Sequence, residues 1–389
     1  MVRLTVSVAT VLLSWTVLGQ TPGVLKQGVF EGHPSLLISN DKLELSLWPT
    51  GGAMVNLVLK DDSEKLSPLW NPARYAREAG REFKGYSIGH FVCVDGFGPV
   101  SKQEAAAGLN GHGEAHQLPW DTKTSSKDGA ITTLAMSVTL PKVQEVLSRT
   151  HRMVDGESVV YVTSELESLL AFDRPICWAE HATIGSPFLE PAVTAVDMAA
   201  ARGRTRRYSG SGRPGAMSHR LASYAEFTWP MAPGVNGGFI DVRKAPLNPN
   251  SGDHTACLMD PSRQFVFVTA LNPKRNLLFG YVFRREDFPW LQSWEFYPSN
   301  GQLARGLEFS TQPFDVSRRE ALETFRMFDA PTYRWLPAKT KIESKFLMFY
   351  TRVPPGFERI DDVVLEGGKL TISDRQAGKQ ITLAASQGL

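Results

Sequence analysis

The strongest constraint on the fold is a succession of short β-strand patterns with very little helical periodicity between them. The runs are rich in β-branched and aromatic residues, and they are either alternating or continuously apolar, which is typical of half-buried or fully buried strands. Turn-forming pairs such as Gly51-Gly52 and Gly367-Gly368 separate them. The predicted strands cover residues 43–47, 54–59, 131–138, 158–165, 264–270, 277–283, 345–351 and 369–373.

Helical spacing is predicted only over residues 142–147 and 317–328. Because strands and helices do not alternate, a Rossmann fold or a TIM barrel is excluded, and an all-β protein built as a large antiparallel sandwich or barrel is expected. The stretch 201–218 is rich in Arg, Gly and Ser and is predicted to be a long surface loop. No linker divides the chain, so residues 24–389 are predicted to form a single β-sandwich domain.

The N-terminus has the pattern of an export signal. Arg3 precedes a mostly apolar stretch over residues 4–18, and Gly19 supplies a small residue for cleavage. The stretch is shorter than the ~20 residues that cross a bilayer core. We therefore predict a signal peptide over residues 1–19 and a periplasmic or secreted protein without a membrane span after cleavage, with an N-terminal anchor as the alternative.

Charge and cysteine content narrow the classes of partner. Lys and Arg number 42 against 40 Asp and Glu, a net charge of +2, which disfavours nucleic acid as the main partner. Three cysteines allow at most one disulfide, and no Cys/His spacing typical of zinc is present. Phosphate-loop and dinucleotide motifs are also missing, so no cofactor is expected.

Three segments combine His, Trp and carboxylates in a way that core packing does not require. They are residues 111–120, with His112, Glu114, His116 and Trp120; residues 177–185, with Trp178 and His181; and residues 306–312, with Glu308. Each segment alone is weak evidence, because a single His beside a Trp is usually a structural residue. Their order along the chain is more specific.

That order resembles the galactose mutarotase-like, or aldose 1-epimerase, superfamily. Members of this superfamily open with a strand, a Gly-Gly turn, a second strand and a Leu-Trp-Asn-Pro segment, and residues 43–47, 51–52, 54–59 and 69–72 are similar to this opening. The segments that resemble later motifs of the superfamily are Cys93 with Phe97-Gly98-Pro99, His112-Gly113 with Trp120, His181, Asp241-Val242-Arg243, and Glu308 with Thr311-Gln312. The resemblance implies a large antiparallel β-supersandwich that binds a mono- or oligosaccharide. The activity it implies is the interconversion of sugar anomers.

The chemistry of this reaction requires one group that removes a proton from the anomeric hydroxyl and another that delivers a proton to the ring oxygen. A Glu and a His suffice. We assign Glu308 as the candidate base and His181 as the candidate acid, with His112 stabilising charge on the ring oxygen or orienting the sugar. Glu295 is an alternative base.

Sugar-binding candidates come from aromatic and polar residues around these positions. The apolar face of a pyranose packs on an aromatic ring, which makes tryptophans candidate platforms, although core packing is their commoner role. The candidates are Asp241, His116, Trp120, Trp178, Trp290 and Trp294.

One departure from the resemblance concerns a cation. Members of the superfamily commonly carry an Arg just before the Phe-Gly-Pro-like segment, whereas residues 87–90 here contain none. Arg81, Lys84 or His90 are the candidate replacements.

Two other classes of function compete with an epimerase. A non-catalytic carbohydrate-binding protein would use the same sandwich without proton transfer. A metal-dependent β-barrel hydrolase or oxygenase would use His112, Glu114 and His116, since alternate residues of a strand point to one face. Gly113 and Pro119 make this segment more typical of a loop, which disfavours the metal site.

Overall fold

Antiparallel hydrogen bonding organises the part of the chain that the computed structural model describes, residues 25–208 and 217–389. The predicted signal peptide, residues 1–19, lies outside the described residues. The described strands are β1 (Lys26–Phe30), β2 (His33–Ser39), β3 (Leu43–Leu47), β4 (Met54–Leu59), β5 (His90–Val94), β6 (Asp121–Asp128), β7 (Ile131–Leu140), β8 (Glu145–Val154), β9 (Val159–Ser168), β10 (Arg174–Ile176), β11 (Trp178–Gly185), β12 (Ala195–Met198), β13 (Ala200–Thr205), β14 (Glu226–Thr228), β15 (Met231–Pro233), β16 (Phe239–Asp241), β17 (Ser251–Met259), β18 (Phe265–Asn272), β19 (Leu277–Arg284), β20 (Trp290–Tyr297), β21 (Ala304–Gly306), β22 (Glu308–Ser310), β23 (Arg326–Met327), β24 (Ala330–Pro331), β25 (Arg334–Leu336), β26 (Lys341–Arg352), β27 (Asp362–Glu366), β28 (Lys369–Asp374) and β29 (Lys379–Ala384). The helices are α1 (Pro72–Glu78), α2 (Lys102–Ala106) and α3 (Arg318–Thr324).

Two large sheets contain most of these strands. The larger one has the order β1-β2-β3-β4-β5-β11-β21-β20-β17-β13-β14-β15-β16, with β22 pairing with both β11 and β20. The smaller one has the order β12-β18-β19-β26-β9-β8-β7-β6. Strands β27, β28 and β29 form a separate sheet near the C-terminus. The predicted all-β antiparallel sandwich is confirmed.

The main hydrophobic core lies between the two large sheets. Val92 and Val94 of β5 share it with Leu347 of β26, and Phe309 of β22 stacks on Phe283 of β19 with 4.4 Å between ring centroids. Because successive residues of a strand point to opposite faces, Phe91 and Cys93 lie on the other face of the larger sheet. That outer face is where the candidate site is found.

The predicted strands agree with the observed ones to within a few residues, whereas three local predictions are corrected. Residues 142–147 do not form a helix; β8 begins at Glu145, and its alternate residues are buried, which is the period of a strand. The loop predicted over residues 201–218 begins inside β13. The helix predicted over residues 317–328 is shortened to α3. The single-domain assignment stays a prediction.

Two further properties concern membrane spans and cysteines. Among the helices of the described ranges, none is long and apolar enough to cross a membrane. Cys93, Cys177 and Cys257 are all buried and unpaired.

A buried charge cluster joins the two sheets. Glu180 of β11 accepts a hydrogen bond from Arg149 Nη2 of β8 at 2.5 Å, and its other oxygen lies 2.9 Å from His90 Nε2. All three side chains are fully buried. Burial alone would raise the pKa of Glu180, but the Arg149 guanidinium and the His90 hydrogen bond hold it below its usual value. The pair therefore stays ionised inside the sandwich.

We expect Arg149→Ala to destabilise the protein strongly, because it leaves the Glu180 charge buried with only the neutral partners His90 and Trp178. Breaking a buried ion pair from one side costs about 3–5 kcal/mol. Arg152→Ala is the matched control, since Arg152 is exposed on the same strand. Urea denaturation would measure both. Similar small losses in the two variants would contradict a structural role for the buried pair.

Candidate active site

A cavity of about 170 Å³ opens on the outer face of the larger sheet. Strands β5, β11, β17, β20 and β22 supply most of its wall, and the remaining residues come from connecting segments. The lining residues are Trp70, Ser87, Phe91, His112, His181, His254, Gln292, Trp294, Glu308 and Asp315. The structure thus brings together four of the residues selected from the sequence: His112, His181, Trp294 and Glu308.

Glu308 is the most unusual side chain of this cavity. It is fully buried, and its Oε2 accepts a hydrogen bond from Gln292 Nε2 at 2.6 Å. Its Oε1 makes no hydrogen bond to any described residue and lies 3.4 Å from His181 Nε2. Burial raises the pKa of Glu308 to about 8, against the smaller opposing effects of Gln292 and Arg206. At pH 7 the carboxyl group is therefore mostly protonated.

Gly306 makes room for this carboxyl group. A Cβ atom at position 306 would lie 2.2 Å from Glu308 Oε1, far inside van der Waals contact. The glycine at the end of β21 thus leaves space for the side chain of Glu308, which faces His181.

His181 lies on β11, opposite Glu308. Its ring stacks on Phe91 with 4.2 Å between centroids, and its Nδ1 lies 3.2 Å from Thr183 Oγ1. Burial lowers the pKa of His181 well below its usual value, and the neighbouring His112 adds to this effect. His181 is therefore neutral at pH 7.

The hydrogen bonds locate the proton of the pair. Asp315 N–H donates to Gln292 Oε1 at 2.7 Å, which fixes the amide so that its NH₂ group faces Glu308 Oε2. An oxygen that accepts from an amide does not also carry the proton there, so the proton of Glu308 belongs on Oε1, facing His181 Nε2. The two side chains thus share one acidic proton, in addition to the ring N–H that a neutral histidine carries.

His112 approaches the same space from a turn, with φ of 63°. Its Nδ1 accepts from Gly98 N–H at 3.4 Å and lies 3.4 Å from Cys93 Sγ. The neutral ring therefore carries its proton on Nε2 and offers a donor to a ligand. Burial lowers the pKa of His112 to about 4, so this tautomer is uncharged at neutral pH.

Several cavity residues were not predicted from the sequence. Gln292, His254 and Asp315 line the cavity, and Asp315 pairs with Arg206, which lies in the stretch predicted to be a surface loop. Gln292 lies two residues before Trp294 on β20, and this alternation is the signal that could have found it. Its pairing with Glu308 across the two strands depends on register.

Three predicted site residues face the interior of the sandwich instead. His90 lies between Glu180 and Tyr281, and Trp178 donates to Glu180 at 3.2 Å. Glu295, the alternative base, pairs with Arg220 and Arg305. Each of them neighbours a residue of the outer face, so the error is one position along a strand. These expectations are corrected.

Other predicted residues also lie away from the cavity. Trp120 covers Gly52 and donates to Ala115 O at 2.9 Å, while His116 packs near Phe91 without lining the cavity. Asp241 lies in a separate cavity with Arg243, to which it is paired. Trp290 packs in a small apolar cluster and donates to Pro331 O.

Arg81 and Lys84, the other candidate cations, line a neighbouring cavity rather than this one.

The metal alternative is not supported by the geometry. The carboxylate of Glu114 accepts hydrogen bonds from the backbone N–H groups of Lys142 and Val143 rather than turning toward His112 and His116. Within residues 25–208 and 217–389, no group of three His, Cys, Asp or Glu side chains is placed to hold a metal ion.

No protein-family model matches the sequence, and no curated protein is significantly similar to it. Comparison with solved structures does find similar folds. A proposed aldose 1-epimerase from Klebsiella pneumoniae has a TM-score of 0.59 at 14% identity, covering 84% of this chain and 83% of that chain. A galactose mutarotase-like protein from Clostridium acetobutylicum has a TM-score of 0.58 at 12% identity, covering 85% and 98%.

A proposed mutarotase from Salmonella typhimurium, YeaD, has a TM-score of 0.56 at 12% identity, covering 87% of this chain and 97% of that chain. At these identities the similarity establishes the fold. The chain is an antiparallel β-sandwich like these three structures. Its fold is the galactose mutarotase-like fold, which confirms the resemblance found in the sequence at that level.

The raised pKa of Glu308 predicts a pH-dependent cost in stability. The folded state keeps the proton of Glu308 up to pH about 8, whereas the unfolded state releases it near pH 4.5. The contribution of Glu308 to the unfolding free energy is therefore fully present below pH 4.5 and is lost as the pH rises to about 8. Glu308→Gln removes this dependence. The unfolding free energy of the variant minus that of the wild type should therefore increase by up to about 1.4 kcal/mol per pH unit between pH 5 and 8.

Thermal unfolding at a series of pH values would measure this difference. Glu165→Gln, a change at an exposed carboxylate of β9, is the control and should follow the wild type. A constant difference between Glu308→Gln and the wild type would show that Glu308 is already ionised at pH 6.

Proposed function

We propose that this protein binds a sugar ring in the cavity and interconverts its anomers by acid–base catalysis. The observation that carries the proposal is the free Oε1 of Glu308, fully buried and 3.4 Å from the neutral His181, in a cavity open to a ligand. A volume of about 170 Å³ is below the 300–1,000 Å³ typical of drug-sized ligands and suits a single ring.

The reaction needs a proton to leave the anomeric hydroxyl while another reaches the ring oxygen. The C1–O5 bond then breaks, the aldehyde rotates about C1–C2, and ring closure on the other face returns both protons. Every step is reversible, so the group that removes a proton in opening returns it in closure. A pair that holds one mobile proton meets this requirement without a net change.

Sugar binding supplies the reason for the proton to move within the pair. A sugar hydroxyl that donates to Glu308 Oε1 stabilises the carboxylate form. The displaced proton has an acceptor in His181 Nε2. Glu308 then acts as the base toward the anomeric hydroxyl, and the protonated His181 acts as the acid toward the ring oxygen.

The remaining walls position the ring. His112 offers its Nε2–H to a sugar oxygen, because its Nδ1 accepts from Gly98 N–H. Trp70 and Trp294, in edge contact with 5.7 Å between centroids, provide aromatic surface on the wall of the cavity. Such surfaces bind the apolar face of a pyranose.

Glu308→Gln should lower the rate of anomer exchange by about 10²–10⁴-fold with little change in sugar affinity, because it keeps the shape but removes the proton acceptor. His181→Asn should behave similarly. Exchange NMR on the α and β forms of glucose, galactose and glucuronic acid would measure the rates, with Glu165→Gln as the control.

Sugar binding by the wild type without exchange of any anomer would contradict the catalytic proposal and favour a carbohydrate-binding protein. Full activity in Glu308→Gln would remove Glu308 from the base role.

A further inference from the structure

The outer face of β20 continues beyond the acid–base pair. Gln292, which holds Glu308, is followed by Trp294 and Phe296 at alternate positions of the same strand. Residues of one face repeat every ~6.8 Å along a strand, so Phe296 lies roughly 14 Å from Gln292. The face thus extends well past the space needed for one sugar ring.

This face leads into a second cavity of about 340 Å³. Trp70 lines both this cavity and that of the acid–base pair, so the two are neighbours. The segment that supplies Ser87 to the first cavity supplies Phe83 and Lys84 to the second.

The aromatic surface is continuous across the boundary. Trp70 meets Trp294 edge to face with 5.7 Å between centroids, and Trp294 stacks on Phe296 with 5.5 Å between centroids. Both Trp294 and Phe296 are only partly buried, which leaves ring surface for a ligand. Polar side chains border this surface, among them Gln302 and Arg81. Aromatic rings framed by hydrogen-bonding groups are the chemistry that binds a pyranose.

An ion pair lies on another part of the wall of the first cavity. Asp315 pairs with Arg206 there and donates its backbone N–H to Gln292 at 2.7 Å. Arg206 also lines a third cavity, with Phe314 and Val316, but the continuous aromatic surface leads from the first cavity toward Trp70 and Phe296.

We propose that the second cavity is a subsite for the next sugar unit, and that the protein acts on the reducing end of a di- or oligosaccharide. The inference rests on the proposed function, since the reducing-end ring occupies the first cavity, beside Glu308 and His181. The adjoining ring packs on Trp70 and Phe296.

The test compares glucose with maltose, cellobiose and melibiose, three disaccharides that share glucose at the reducing end. Exchange NMR gives kcat/KM for each. The wild type should exchange at least one disaccharide about 10-fold more efficiently than glucose, as expected for one added stacking contact. Phe296→Ala should bring that ratio to near one. Phe172→Ala, at an exposed aromatic residue outside both cavities, should keep it.

Saturation-transfer NMR adds a readout that does not depend on turnover. Protons of both rings of the preferred disaccharide should receive saturation from the wild type, and mainly those of the reducing ring from Phe296→Ala. Equal kcat/KM for glucose and all three disaccharides would overturn the subsite while leaving the proposed function in place. An equal loss for glucose and disaccharides in Phe296→Ala would make the residue structural and also overturn it. Exchange of no sugar at all would contradict the proposed function itself.

Discussion

Two neighbouring residues of strand β11 point to opposite faces of the sheet, and the candidate site depends on both of them. Glu180 points inward to Arg149 and His90, where it joins the two sheets. His181 points outward to Glu308. Because side chains of a strand alternate, a shift of one residue would bury His181 in the sandwich and expose Glu180 to the cavity. The inner ion pair therefore also fixes the register that presents His181 to its partner.

On the outer face, burial without a paired positive charge raises the pKa of Glu308, and this shift is the basis of the proposed chemistry. Glu180 stays ionised because Arg149 is beside it, whereas Glu308 has an amide as its nearest partner and burial raises its pKa to about 8. Two buried carboxyl groups on adjacent strands thus have opposite protonation states. Glu180 joins the two sheets through its ion pair with Arg149. Glu308 carries a proton and lowers the stability of the fold above pH 4.5, a cost that a residue with only a structural role does not require.

The sequence predicts the strands and the fold class well, because period-two patterns and turn residues are local signals. It also selects His112, His181 and Glu308. It fails where the answer depends on which face of a strand is the outer one. His90 and Glu295 each lie one position from a cavity residue, and Trp178 points into the sandwich on the strand of His181. Gln292 was missed because its importance comes from the cross-strand register with Glu308, which no local pattern records.

The pH dependence of anomer exchange tests the central claim, that Glu308 and His181 work as a pair holding one proton. After correction for the uncatalysed rate, kcat/KM should be constant from about pH 6 to 7.5 and should fall above about 8, approaching tenfold per pH unit, as the proton of the pair is lost. The prediction is the same whichever of the two residues carries the proton at the start of the reaction. A rate that rises through pH 8 would show that the carboxylate acts without its proton-bearing partner and would contradict the account.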